Sequence, residues 1–230
     1  MTGAPLLVLC ALAPEEWALR RADWAQALHG PPVLARTGLG PVRAGRTADA
    51  LLAAGGYGAV VVTGFCAAVA PGPAPGDLLV ADEVRDAAGT AWPVAAPDAL
   101  AEGLRTLGLT VRRGVLHSTD HVVRGPERGR LHRAGALAVD MESAAVLGRL
   151  PAGLPAAAVR VVVDTPGREL LRPGTLPAGL RAWRALRAAA PALLGWHRAV
   201  AAPAPRARPR SPEVFLSTHS SKPTLPQEAS

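Results

Sequence analysis

Carboxylate side chains follow four of the apolar segments of this 230-residue chain, at the points where those segments end. They are Glu15 and Glu16 after "LLVLCAL", Asp120 after "GVLHS", Asp140 and Glu142 after "ALAV", and Asp164 after "VRVVV". If the apolar segments are strands of one α/β sheet, their carboxyl ends are where ligands bind. Carboxyl groups in such a place can act as general acid or base, or accept hydrogen bonds from hydroxyl groups. These residues are therefore the first candidates for an active site.

Each acid also has a purely structural interpretation. Glu15 and Glu16 could stabilise a helix N-terminus through the helix dipole, an effect of roughly 0.3–1 kcal/mol. Asp164 precedes Thr-Pro and could form an Asx turn, and for Asp140 we favour a role as helix N-cap. Glu142 is different, because we place it inside a helix among small residues that look buried. A buried carboxylate without a partner is costly, so Glu142 should bind something.

The elements that must position these acids alternate between strands and helices. The predicted strands are "LLVLCAL", "PPVLAR", "AVVVTGF", "GDLLVADEV", "TVRRGVLHSTD", "ALAVD" and "AAAVRVVVD". The predicted helices are "PEEWALRRADWAQAL", "PVRAGRTADALLAA", "PDALAEGLRTLG", "MESAAVLGRL" and a closing helix, "AGLRAWRALRAAAPALLGWHRAV", broken or bent at Pro191. Apolar strands alternating with helices predict an α/β domain with helices on both faces of the sheet.

Composition excludes several classes of protein. The net charge is +7, but it comes from scattered arginines, Lys222 is the only lysine, and aromatic residues make up only 3%. No basic and aromatic stripe results, so we expect no nucleic-acid partner. The six histidines form no metal-binding spacing, and Cys10 and Cys66 lie in apolar runs, as core thiols of a reducing compartment do. We expect no metal and no disulfide.

The apolar run "LLVLCALA" is far too short to span a bilayer, and no charged segment precedes it. We therefore expect a cytoplasmic protein without stable membrane insertion. The composition changes near Pro203 to a Pro-, Ser- and Arg-rich sequence with little periodicity. We predict a catalytic domain over residues 1–202 and a disordered tail over residues 203–230.

Three separated motifs resemble one enzyme family. They are "ALAPEEW", "TGFCAAVAPGPAPGDLLVADEV" and "AVDMESAAV" with the "VRVVVD" that follows it. Together they resemble the purine nucleoside phosphorylase and methylthioadenosine/S-adenosylhomocysteine nucleosidase superfamily, in matching order from about Leu6 to about Val200. The resemblance implies a central mixed, partly barrel-like sheet in a three-layer α/β fold, and an enzyme that cleaves N-glycosidic bonds.

Within that superfamily the chain is most similar to the hopanoid-associated phosphorylases. "DMES" and "DTPGRELLRPGTLPAGL" carry this likeness, which implies adenosylhopane as the substrate and adenine as the product. Futalosine hydrolases are also similar, although they usually have glycine where this chain has Ser143. Methylthioadenosine/S-adenosylhomocysteine or futalosine hydrolysis, and an inactive nucleoside-binding protein, remain alternatives.

The resemblance implies a role for each acid. Asp164 would hold or deliver the proton that purine N7 takes as the base departs, Glu142 would accept hydrogen bonds from the ribose 2′- and 3′-hydroxyls, and Met141 would pack against the ribose. The stretch from His117 to Val123 would offer backbone groups to the base, with Asp120 and Val122 as the base-binding residues. The implied ligand is a small-molecule nucleoside, with a lipid-linked one among the candidates, and relatives suggest a homo-oligomer.

The group that accepts the ribose stays open between water and phosphate. In hydrolytic relatives an acid after the first strand orients water, and Glu15 or Glu16 fits that place. In phosphorolytic relatives glycine amides and an arginine bind phosphate, for which Gly40, Arg43 and Gly64 are the candidates, with inorganic phosphate as co-substrate and no other cofactor. Two departures from the relatives weaken the phosphate site: Ala67-Ala68 replaces the usual Gly-Gly, and no arginine immediately precedes Gly64. A further departure is Val163, which stands where many relatives have a hydroxyl residue and so removes one hydrogen bond to Asp164.

Overall fold

Eight strands form one mixed sheet in the part of the computed structural model that is described, residues 3–27, 29–166 and 176–201. The strands are β1 (Leu6–Cys10), β2 (Val33–Arg36), β3 (Ala59–Ala68), β4 (Leu78–Arg85), β5 (Ala91–Pro93), β6 (Val111–Ser118), β7 (Ala136–Asp140) and β8 (Ala156–Asp164). Most are runs of Val, Leu and Ala that are buried on both faces, as strands covered on both sides are.

Five of these strands close into a barrel. β3 pairs with β8 in parallel, β8 with β4 antiparallel, β4 with β6 and β6 with β7 in parallel, and β7 returns antiparallel to β3. β1 and β2 extend the sheet outward from β3, and β5 pairs with β4 outside the ring. The predicted mixed, partly barrel-like α/β sheet is therefore confirmed.

Helices cover both faces of the sheet. They are α1 (Ala13–Arg20), α2 (Pro41–Ala54), α3 (Pro97–Thr106), α4 (Pro126–Arg133), α5 (Ser143–Leu147), α6 (Leu176–Ala188) and α7 (Ala190–Ala201). One apolar core lies between the sheet and α1, α3, α6 and α7, and a second lies between the sheet and α2 and α5. Successive side chains of β8 point to opposite faces of the sheet. Val159 and Val161 therefore lie in the first core, and Ala158 and Val162 lie in the second.

The structure corrects several predicted boundaries. α1 ends at Arg20, where the prediction continued to residue 28, and α5 has only five residues and begins after Glu142, which is its N-cap. α4 and β5 were not predicted. The closing helix breaks at Ala189, two residues before Pro191, because a proline ring clashes with the backbone of the preceding turn. The predicted tail, residues 203–230, lies outside the described residues.

The carboxyl ends of four strands meet at one place in the barrel. Ala67 of β3 is paired with Asp164 of β8 and with Val139 of β7, and Ser118 of β6 is paired with Asp140 of β7. The acids at these strand ends are therefore brought together even though the sheet is mixed. No helix in the described part of the chain is long and apolar enough to cross a membrane.

Candidate active site

A cavity of about 340 Å³ opens where the strand ends meet. Five of the predicted site residues line it: Glu15, Val122, Met141, Glu142 and Asp164. Much of the remaining wall is apolar, from residues that include Leu12, Leu39, Phe65, Val123, Val139 and Val163. With Asp140, which also lines it, the cavity combines four carboxyl groups with a largely apolar wall, as ligand sites do.

Glu15 is fixed in this cavity by three backbone N–H groups. The N–H groups of Ala11 and Leu12 each donate to Oε2 at 2.8 Å, and the N–H of Phe65 donates to Oε1 at 2.6 Å. The residue is 1% exposed, and burial raises the pKa of its carboxyl group, against the opposing effects of Arg160 and of the three N–H groups. A carboxylate has about four lone-pair positions, so one is left for a ligand or water.

Gly64 makes room for the Glu15 carboxylate. Its backbone has φ +132°, and a Cβ built on it would lie 2.6 Å from Glu15 Oε1. Gly64 was predicted to contribute to a phosphate or water site through its amide, but it does not line the cavity. Its observed part is to leave the space that the acid occupies.

Glu16 lies outside the cavity, although it is the neighbour of Glu15 and was predicted with it. It forms ion pairs with Arg20 at 2.7 Å and with Arg36 at 3.3 Å on the surface of α1. Because successive residues on a helix point about 100° apart, only one of two adjacent acids can face the strand ends. The structure thus separates the two candidates and leaves Glu15 as the acid in the cavity.

Arg160 is a buried cation that the sequence analysis missed. It is 1% exposed in the middle of β8, and its guanidinium group pairs with Asp140 and lies 3.6 Å from Glu142 Oε2. It also donates to Ser143 Oγ at 2.9 Å and to the carbonyl of Thr63 at 3.1 Å. A single arginine inside the most apolar strand was the available signal, because a buried charge requires partners.

Asp140 is one of the residues that contact the buried Arg160 guanidinium group. Its carboxylate also accepts hydrogen bonds from the hydroxyl groups of Ser118 and Ser143, and from the Ser143 N–H at 3.2 Å. The predicted N-cap role is therefore present only in part: the bond to the first N–H of α5 exists, but Glu142 occupies the N-cap position. Asp140 mainly balances Arg160 and joins β6, β7 and β8.

Glu142 also lies near the Arg160 guanidinium group. It accepts a hydrogen bond from Gly40, which was predicted to be a phosphate ligand. The N–H of Gly40 donates to Glu142 Oε1 at 2.9 Å, so this amide is already occupied. The acid is 4% exposed, and burial raises the pKa of its carboxyl group against the lowering effect of Arg160. The partners that a buried Glu142 was expected to need therefore include the Gly40 amide and the Arg160 guanidinium group.

The predicted phosphate site is not assembled around the cavity. Arg43 is an exposed residue of α2 that does not line the cavity, and the Gly40 amide faces Glu142. Together with the position of Gly64 behind Glu15, this leaves none of the three predicted phosphate ligands facing the cavity. The same space is lined by charged residues of both signs, the acids Glu15, Asp140, Glu142 and Asp164 and the basic residues Arg124 and Arg128.

Asp164 lies at the far end of the cavity and is paired with a second missed cation. Arg128, in the first turn of the unpredicted helix α4, donates from Nη2 to Asp164 Oδ2 at 2.6 Å. Both residues are buried. The other oxygen, Oδ1, is buried and has no hydrogen-bond partner among the described residues. It is therefore available to a ligand.

The loop between β6 and α4 forms the wall beside Asp164. Val122 lines the cavity, as predicted, and is 57% exposed at its mouth. Asp120 does not line it: its exposed carboxylate accepts a hydrogen bond from His121, whose other ring nitrogen contacts Glu127 at 3.0 Å. These two acids raise the pKa of His121. Asp120 therefore contacts His121 within the loop, and its side chain does not line the cavity.

Cys66 lines the cavity as a neutral thiol. Burial, assisted by the neighbouring carboxylates and opposed by Arg160, raises its pKa, and burial likewise raises the pKa of Cys10 to about 12. Both cysteines are free, as expected of core thiols. Within the described residues, no group of three or more His, Cys, Asp or Glu side chains is arranged to hold a metal ion.

The arrangement suits a reaction that separates charge along the cavity. A group bound in the cavity would meet Asp164 Oδ1, which has no partner among the described residues, and the Glu15 carboxylate, which keeps about one lone-pair position free. Glu142 lies on the same wall and could accept hydrogen bonds from hydroxyl groups between them. This is the layout that general acid and base catalysis requires.

Comparisons with known proteins identify the family and the fold. The family profile of the phosphorylase superfamily matches residues 25–178. A 5′-methylthioadenosine/S-adenosylhomocysteine nucleosidase of Campylobacter jejuni is similar in structure, with TM-score 0.72, 17% identity, 84% of this chain and 98% of that chain covered. A futalosine hydrolase of Helicobacter pylori has TM-score 0.68 at 18% identity, covering 84% of this chain and 97% of that one.

A third similar structure carries a bound ligand. It is the 5′-methylthioadenosine/S-adenosylhomocysteine nucleosidase of Neisseria meningitidis in complex with methylthio-immucillin-A, with TM-score 0.68 and 21% identity over 83% of this chain and 98% of that chain. A comparison with curated proteins gives no match. At these identities the structural likeness establishes the fold, whereas the profile establishes the family.

Proposed function

Because the chain belongs to the phosphorylase superfamily, as its sequence motifs predicted, we propose that it cleaves the N-glycosidic bond of a 5′-substituted adenosine and releases adenine. One observation carries this proposal. Glu15, Glu142 and Asp164, which lie far apart in the sequence, line a single cavity of about 340 Å³. The family assignment confirms the expected class of enzyme, and the substrate is the proposed part.

Asp164 serves the departing base. Cleavage of the C1′–N9 bond moves an electron pair onto the purine, and a proton delivered to N7 makes the base a good leaving group. Oδ1 of Asp164 is the oxygen that we assign to this proton transfer, because Oδ2 is bonded to Arg128 and Oδ1 has no partner among the described residues. General acid catalysis of this kind contributes roughly 10²- to 10⁴-fold in rate.

Glu142 and Met141 hold the ribose. The Glu142 carboxylate accepts hydrogen bonds from the 2′- and 3′-hydroxyls with the lone pairs that Gly40 and Arg160 leave free. Its negative charge also favours the positive charge that develops on the sugar ring in the transition state. Met141 lines the same wall and supplies an adaptable apolar contact.

Water is the proposed acceptor of the ribose. Glu15 is held by three N–H groups, keeps about one lone-pair position free, and can take the proton of a water molecule as its oxygen attacks C1′. The observations that favour water over phosphate are the occupied Gly40 amide and the exposed position of Arg43, which does not line the cavity.

Adenosylhopane is the substrate that we propose, on the resemblance of "DMES" and "DTPGRELLRPGTLPAGL" to the hopanoid-associated group. Leu39 and Val122, which are 50% and 57% exposed, line the cavity and supply an apolar mouth. Such a mouth supports a lipid-like 5′-substituent, since exposed apolar side chains at a cavity are typical of binding surfaces for apolar groups. A nucleoside that carries an aliphatic chain at its 5′ position is thus the ligand that we propose.

Methylthioadenosine/S-adenosylhomocysteine or futalosine hydrolysis is the second candidate. It is favoured by the structural likeness to a nucleosidase and a futalosine hydrolase. The third candidate is a nucleoside-binding protein without activity, for which the Arg128–Asp164 ion pair is the relevant feature, because it occupies one oxygen of the proposed acid.

One assay separates these functions. The protein is incubated with adenosylhopane, methylthioadenosine, S-adenosylhomocysteine and futalosine, with and without phosphate, and the free base and the sugar product are measured by liquid chromatography. We expect adenine and the free sugar from adenosylhopane at a rate independent of phosphate. A sugar 1-phosphate would overturn the choice of water, faster turnover of another nucleoside would overturn the substrate, and binding without release would favour the inactive protein.

A further inference from the structure

Arg128 joins three elements at the base end of the cavity. Its Nη2 donates to Asp164 Oδ2 at 2.6 Å, its Nε to the carbonyl of Val123 at 3.3 Å, and its Nη1 to the carbonyl of Ala68 at 3.5 Å. The residue is 4% exposed. One guanidinium group therefore ties the end of β8 to the end of β3 and to the loop before α4.

The contact leaves the two oxygens of Asp164 in different states. Oδ2 is fixed by Arg128, and Oδ1 is buried in the cavity wall without a partner among the described residues. Rotation of the carboxyl group would exchange the two oxygens, and Arg128 opposes that rotation. The Val163 position supplies no hydroxyl group to Asp164, so Arg128 is the side chain that orients this acid.

We propose that Arg128 is a positioning residue for proton transfer from Asp164 to the base. This proposal rests on the proposed function and adds a residue to it. When the proton passes from Oδ1 to purine N7, Asp164 becomes an anion. The fixed guanidinium group lies against that anion and stabilises it, so it stabilises charge where charge develops during the reaction.

Other charged or titratable groups face the same space and remain unchanged in the variants below. They are Cys66 on β3, Glu15 on α1, His121 and Arg124 on the loop before α4, and Asp140 and Glu142 after β7. Cys66 is a neutral thiol because burial raises its pKa. A shift of the pH profile that follows substitution of Arg128 alone is therefore assigned to the Arg128–Asp164 pair.

The test compares the variants Arg128→Met and Arg128→Lys with the unsubstituted protein. Arg130→Met is the matched control, because Arg130 is an exposed arginine of the same helix. We expect kcat for adenine release to fall roughly 100-fold in Arg128→Met, the size seen when one fixed donor to a developing charge is removed, with KM changed far less. We expect about a 10-fold loss in Arg128→Lys, because an ammonium group cannot form the same three contacts.

The pH profile supplies the readout that a purely structural role would not move. Turnover in Arg128→Met should persist to higher pH than in the unsubstituted protein before it falls, because the anionic form of Asp164 loses its counter-charge. Added guanidinium ion should restore part of the rate. Wild-type kcat and an unchanged profile in Arg128→Lys overturn the proposal, and this variant decides the question if Arg128→Met does not fold.

Failure of the proposed function is distinguishable from failure of this inference. If the unsubstituted protein releases no base from any nucleoside tested, the proposed function is wrong, and binding of free adenine by calorimetry between pH 5 and pH 8 decides the role of Arg128. Weaker binding with a displaced pH dependence in both Arg128 variants supports it. Equal binding in all proteins, or no binding to the unsubstituted one, overturns it.

Discussion

Asp140 and Asp164 are both buried aspartates at strand ends, and each is paired with a buried arginine, yet their surroundings differ. Asp140 accepts hydrogen bonds from two serine hydroxyls and a backbone N–H in addition to its pairing with Arg160. Asp164 has Arg128 as its partner, and its second oxygen has none among the described residues. The first acid is saturated by the protein, and the second is not.

The difference separates a scaffold from a site. A saturated buried carboxylate contributes to the fold, because removing it would leave Arg160 with one counter-charge fewer. An unsaturated one costs free energy until a ligand supplies the missing partner. Burial and charge alone would rank the two residues equally, so the count of hydrogen-bond partners is the informative quantity.

The largest expected effect is on turnover in Asp164→Asn. An amide cannot deliver the proton, so adenine release should fall by about 10²- to 10⁴-fold. The cost in stability should be about 1 kcal/mol, since the amide oxygen can keep the bond from Arg128 and the NH₂ group can face the cavity. Initial rates and urea denaturation measure the two quantities. Turnover within a factor of two of the unsubstituted protein would contradict the role of Asp164.

The same substitution at Asp140 should chiefly lower stability, whereas at Asp164 it should chiefly lower turnover. In Asp140→Asn the NH₂ group replaces either Oδ1, beside the Ser118 hydroxyl, or Oδ2, beside Ser143 and Arg160, and in both orientations Arg160 loses a full counter-charge. We expect a loss of about 3–5 kcal/mol in the free energy of unfolding, measured by urea denaturation. If Asp140→Asn were as stable as Asp164→Asn, the distinction between the two acids would collapse.

Glu15→Gln should lower turnover by about 100-fold. A glutamine cannot accept the proton of the attacking water, and general base catalysis is worth at least this factor. The substrate-bound state keeps Glu142 and Asp164, so KM should change less than kcat. Steady-state kinetics with the preferred nucleoside measures both constants, and an unchanged kcat would remove Glu15 from the reaction.

The pH dependence of stability should report on Glu142. Burial raises its pKa above the ordinary value of 4.5, so the folded chain holds this proton more tightly than the unfolded chain does. The stability that this group contributes is fully present below about pH 4.5 and is lost as the pH rises through the higher folded pKa. Glu142→Gln should therefore lose less stability between pH 5 and pH 8, measured by urea denaturation. An identical decline in both proteins would contradict this assignment.

The smallest effect is expected in Glu16→Gln, the matched control for Glu15. Glu16 forms partly exposed ion pairs with Arg20 and Arg36, and such pairs contribute about 0–1 kcal/mol. Turnover should be unchanged in the same kinetic assay. A loss comparable to that of Glu15→Gln would mean that the surface of α1 takes part in the reaction.

The sequence was most informative where side-chain type and strand periodicity coincide. Seven of the eight strands were predicted, because runs such as "AAAVRVVVD" leave few alternatives in an α/β chain. β5 has three residues, and α4 has the polar sequence "PERGRLHR", which shows no apolar periodicity. β5 is too short to show a pattern, and the local signals of α4, a proline and Glu127 in its first turn and basic residues in its last, stand without the apolar periodicity that would mark a helix.

The acids of the cavity were predictable, and their counter-charges were not. Glu15, Glu142 and Asp164 stand at strand ends, where a pattern of ends and acids can be seen in one sequence. Arg128 lies on the unpredicted helix and reaches Asp164 across 36 residues of chain. Whether Gly40 donates to a phosphate or to Glu142 depends on a contact between residues 102 positions apart, which local patterns do not encode.

A substitution at Gly64 would disturb the position of the Glu15 carboxylate without altering any charged residue. A methyl group at that position would occupy the volume of the Glu15 carboxylate, 2.6 Å from Oε1, on a backbone with φ +132° that resists other side chains. An alanine there would displace the acid from its three N–H donors and leave every ionisable group in the protein chemically intact. The vulnerability of this enzyme to mutation therefore extends to a residue that has no side chain at all.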